Sequence, residues 1–89
     1  MPMTPRTLYI VNKPTTGDWK PLLPSSDEDD DAFSLVLLQD AVAIDEPLGR
    51  FVYVLDEDCT ARNVISTFPT VSYADLVRMI FEAETVVAI

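Results

Sequence analysis

Three segments of this chain are apolar at nearly every position: Thr7-Leu8-Tyr9-Ile10-Val11, Phe33-Ser34-Leu35-Val36-Leu37-Leu38 and Phe51-Val52-Tyr53-Val54-Leu55. A strand with one wet face alternates apolar and polar residues, whereas a continuous apolar run has both faces covered. Each run is five or six residues long and rich in β-branched and aromatic types, which suits a strand and is too short for a buried helix. Buried strands separated by helical segments imply an α/β fold with a parallel sheet. The expectation is a small three-layer α/β/α domain with a mainly parallel sheet of four to five strands.

The intervening segments differ in kind. Pro14, Gly17, Pro21 and Pro24 forbid a regular long helix after the first strand. At most a short helical turn over 18–23 buries Trp19, Leu22 and Leu23. Five consecutive acids follow, Asp27 to Asp31, and the segment around 24–32 is expected to be solvated and flexible. Asp56-Glu57-Asp58 opens a helix, where acids complement the positive end, with Ala61, Val64 and Ile65 as its apolar stripe. Pro69 ends that segment, and Thr70-Val71-Ser72 reads as a short fourth strand. Ser72 and Asp75 stand at capping-box spacing and introduce the clearest helix, over 74–84. Leu76, Val77, Ile80, Phe81 and Ala83 recur there at helical spacing, and Val86 to Ile89 is a final strand.

One joint tests the parallel reading. If the second strand ran to Ile44, six residues would remain before the third, enough only for an antiparallel hairpin. If it stops at Leu38, Gln39–Arg50 gives twelve, just enough for a parallel crossover with a single helical turn near 40–44. The second option is preferred.

Composition excludes several functions. The chain has 89 residues, with 6 basic and 15 acidic side chains, a net charge of −9, one cysteine and no histidine. One domain over 1–89 is the expectation at this size. An internal disulfide, a histidine acid–base or triad, and a zinc site of histidines or four thiolates are all excluded. The surplus of acid argues against direct nucleic-acid binding and against an anionic membrane surface. No apolar run approaches the roughly 20 residues of a spanning helix. Met1 to Arg6 does not read as a secretory signal. A lone free cysteine then suits a reducing, cytoplasmic compartment.

Cys59 is the only thiol. The first turn of a helix can lower a thiol pKa, yet Asp56, Glu57 and Asp58 crowd this one. The expectation is a structural cysteine, with sulfur transfer as the minor reading. The acidic run lacks the ligand spacing and glycine of a calcium loop, so no metal is expected, although the run could meet a basic partner. Asn12, Lys13, Asp40, Asp56 and Asp58 would gather at the carboxyl edge of the sheet, where ligands collect in such folds, with Asp40 and Asp56 most simply read as helix caps. Gly17 and Gly49 are isolated, so no phosphate-cradling loop exists and no cofactor is implied. Tyr9, Tyr53 and Tyr73 read as packing residues, while Trp19, in an irregular segment, is expected to be part exposed as a partner anchor.

Several segments together resemble one family. Leu8-Tyr9-Ile10-Val11-Asn12-Lys13 resembles its opening strand, and Leu35-Val36-Leu37-Leu38-Gln39-Asp40-Ala41-Val42 its LLLLQDGV segment. Val52 to Arg62, reading VYVLDEDCTAR, is similar to VYALNEDLxARG. Val71-Ser72-Tyr73-Ala74-Asp75-Leu76-Val77 and Glu84-Thr85-Val86-Val87-Ala88 resemble its next helix start and closing strand. The family is DsrH/TusB, the small subunit of the DsrEFH and TusBCD sulfur-relay complexes. The resemblance implies a small α/β/α domain in a hetero-oligomer with two homologous subunits, DsrE/DsrF-like or TusD/TusC-like. It implies service in tRNA wobble-uridine 2-thiolation or in intracellular sulfur oxidation, with the persulfide cysteine chiefly on a partner. The chain departs from the pattern in five places. No cysteine stands in Gly17–Ser26, the acidic run is atypical, Ala41 replaces a glycine, the linker after Val42 is short, and Ile89 replaces a closing tryptophan. The expected function is thus an accessory, non-catalytic subunit, with Trp19, Asp40 and Tyr73 as candidate partner contacts. The alternative is a stand-alone, self-associating interaction module that has lost the relay role.

Overall fold

The three apolar runs are adjacent strands at the centre of one sheet. A computed structural model of the chain describes residues 7–17, 19, 33–45 and 51–89. Strands β1 (Thr7–Val11), β2 (Phe33–Leu37) and β3 (Phe51–Leu55) are joined by two short edge strands, β4 (Thr70–Val71) and β5 (Thr85–Ala88). The order is β4-β3-β2-β1-β5, and every neighbouring pair is parallel. Central β2 is buried at all five positions, Ser34 included, as a strand apolar at the other four and covered on both faces requires. Tyr9 of β1 meets Phe33 of β2 edge to face, with ring centres 5.6 Å apart.

Strand order fixes where the connections lie. The chain steps in one direction from β1 to β4, then returns across the sheet to β5. Right-handed crossovers therefore place the first three connections on one face and the last on the other. The packing follows this rule. Trp19, Ala41, Val42 and Cys59 share one cluster with Val11, Leu35, Leu37, Val52 and Val54. On the opposite face Leu76, Met79 and Ala83 pack with Leu8, Val36 and Leu55. The first group comes from the β1–β2 connection, a 3-10 helix over Gln39–Ala43 and helix α1 over Asp56–Ala61; the second comes from helix α2 over Tyr73–Glu82. Three layers result.

The joint after β2 resolves as the longer crossover. The strand ends at Leu37, and the 3-10 helix buries Ala41 and Val42 before the chain reaches β3. Asp40 and Asp56 are not caps as expected: Leu38 and Leu55 occupy the N-cap positions, with no side-chain cap bond. Both helices start directly off a strand, so each acid lies inside the first turn rather than before it. Ser72 and Asp75 do form the capping box. Asp75 N–H donates to Ser72 Oγ at 3.1 Å and Ser72 N–H donates to Asp75 Oδ2 at 3.3 Å.

Helix α1 is shorter than its apolar pattern suggests. Asn63 adopts φ 55°, and Val64 N–H donates to Cys59 O while Asn63 N–H donates to Thr60 O. This is a Schellman ending with asparagine in the left-handed position. The helix stops at Ala61, Val64 packs as part of the core margin, and Ile65 is 98% exposed instead of joining an inward stripe. The expected helical turn over 18–23, apart from Trp19, and the acidic segment around 24–32 lie outside the described residues. Among the described residues no helix is long and apolar enough to cross a membrane.

Candidate functional site at the carboxyl edge of the sheet

The carboxyl ends of β2 and β3 bring Gln39, Asp40, Asp58 and Arg62 together. Gln39 leaves β2 with φ 52°, a left-handed conformation that glycine adopts more easily. Its N–H, turned out of the ladder, donates to Asp58 Oδ2 on α1 at 2.7 Å. Arg62, just past the end of α1, donates from Nε to Asp40 Oδ1 at 3.1 Å. Its Nη1 lies 3.5 Å from Asp58 Oδ1. One guanidinium thus bridges a carboxylate from each of two neighbouring connections. The arrangement is internally satisfied, so it locks the 3-10 helix to α1 rather than presenting a free acid and base. Sequence reasoning placed Asp40 and Asp58 at this edge but missed Arg62. The signal was its spacing of four residues from Asp58, the reach of a helical ion pair.

Cys59 lies on the inner side of α1. It is only 5% exposed and belongs to the cluster of Leu37, Val42 and Val54. Burial pushes its thiol pKa above the ordinary value, and the carboxylates of Asp56 and then Asp58 push it further the same way. A thiolate here would sit in apolar surroundings beside two negative charges, so the neutral thiol prevails at neutral pH. An open concavity of about 390 Å³ adjoins it, walled by Asp56, Thr60, Asn63, Ser66 and Thr70 among others. Its lining offers the hydroxyls of Thr60, Ser66 and Thr70 and the single carboxylate of Asp56, with no cation among the described residues. Among the described residues no group of three or more Cys, Asp or Glu side chains is placed to hold a metal ion.

The candidate partner contacts fall in three separate places. Trp19 is fully buried, with its indole N–H donating to Thr15 O at 2.6 Å. The expectation of a part-exposed anchor is corrected: the apolar floor formed by β1 and β2 takes the ring, and a local carbonyl satisfies its one polar atom. Asp40 is exposed and engaged with Arg62. Tyr73 opens α2 on the other face of the sheet and is 56% exposed.

Of the five apolar residues at helical spacing in α2, Leu76 and Ala83 pack inward, whereas Val77, Ile80 and Phe81 are exposed. Leu76 alone of the helix is fully buried, with Met79 and Ala83 packed beside it. No protein-family model matches this chain, and no curated protein matches it significantly.

Proposed function

We propose that the chain is a DsrH/TusB-like accessory subunit of a sulfur-relay complex, which contacts partner subunits and carries no persulfide itself. One observation carries the reading. The five resembling segments fall in order onto β1, β2 with its 3-10 helix, β3 with α1, β4 with α2, and β5. The setting of Cys59 supports the non-catalytic part. Persulfide transfer begins with a thiolate, and burial together with Asp56 and Asp58 disfavours one. The relay would serve tRNA wobble-uridine 2-thiolation or intracellular sulfur oxidation, in the cytoplasm, with the reactive cysteine on a DsrE/DsrF-like or TusD/TusC-like partner.

A second reading is a stand-alone module that associates with itself. The exposed apolar residues of α2 favour it, because a second copy could cover them. Affinity capture of the tagged chain from its native source, read by mass spectrometry, separates the two. Recovery of two homologous α/β subunits in constant ratio is the expected result. Recovery of the chain alone, as monomer or homo-oligomer, rejects the relay assignment. Within a recovered complex, Cys59→Ala should leave sulfur transfer intact.

A further inference from the structure

We draw no further inference here: the strongest candidate, the exposed apolar flank of helix α2 formed by Tyr73, Val77, Ile80 and Phe81, carries nothing because nothing in the structure shows what covers it.

Discussion

Cys59 has the sequence position of a reactive thiol and the surroundings of a core residue. In the native chain its pKa stands above the ordinary 9.0, raised first by burial and then by Asp56 and Asp58. As pH climbs past that ordinary value, the unfolded chain loses the thiol proton while the native chain keeps it. The unfolded state then binds fewer protons, so stability falls with rising pH; below 9.0 the contribution is fully present. Urea midpoints should therefore decline above pH 9 more steeply for the wild type than for Cys59→Ala. Native protein at pH 8 should alkylate at least about tenfold more slowly than protein in urea. Equal labelling rates would remove the buried-thiol account. This much was legible in the sequence, because the acids adjoin the cysteine and an apolar residue suits its slot. The burial of Trp19 was legible only as one of two options, a burying helical turn over 18–23 or a part-exposed anchor. Its neighbouring prolines predict irregular backbone, and irregular backbone says nothing about which ring the sheet will accept.

The elements were legible to the extent that their cause is local. Runs apolar at nearly every position marked β1, β2 and β3, and Ser72 with Asp75 marked the start of α2. Two misreadings share one origin, the assumption that apolar residues at helical spacing face inward. Asn63 stops α1 before Ile65 can join it, and α2 has only one face against the sheet. The junction between β2 and the 3-10 helix makes a sharper test. Gln39 holds a left-handed conformation that costs an L residue roughly 1–2 kcal/mol. Asp58 maintains it by accepting the Gln39 N–H. Gln39→Gly removes the strain but adds freedom to the unfolded chain worth about 0.4–1 kcal/mol. The net expectation is a stability unchanged or raised by up to about 1.5 kcal/mol. Gln39→Val, β-branched at positive φ, should lower the urea midpoint clearly. A destabilised glycine variant would mean that the Gln39 side chain, not its backbone, holds the junction.

At the scale of the whole molecule, 15 acids against 6 bases oppose compaction. The described ion pairs act the other way: Arg62 with Asp40 and Asp58, and Arg78 with Asp75. Magnitudes decide which dominates. Partly exposed pairs of this kind contribute about 0.2–1 kcal/mol each. Two like charges about 12 Å apart in water repel by about 0.3 kcal/mol, and nine surplus charges make dozens of such pairs. Repulsion wins unless it is screened. The radius of gyration is 12.2 Å. Raising salt from about 0.01 M to about 0.1 M shortens the Debye length from about 30 Å to about 10 Å, from beyond the molecule to within it. The long-range repulsion is screened first, while the contact pairs lose little. Sodium chloride over that range should raise the urea midpoint of the isolated chain. A midpoint that falls with salt would show that the Arg62 and Arg78 pairs, rather than the net charge, govern the balance.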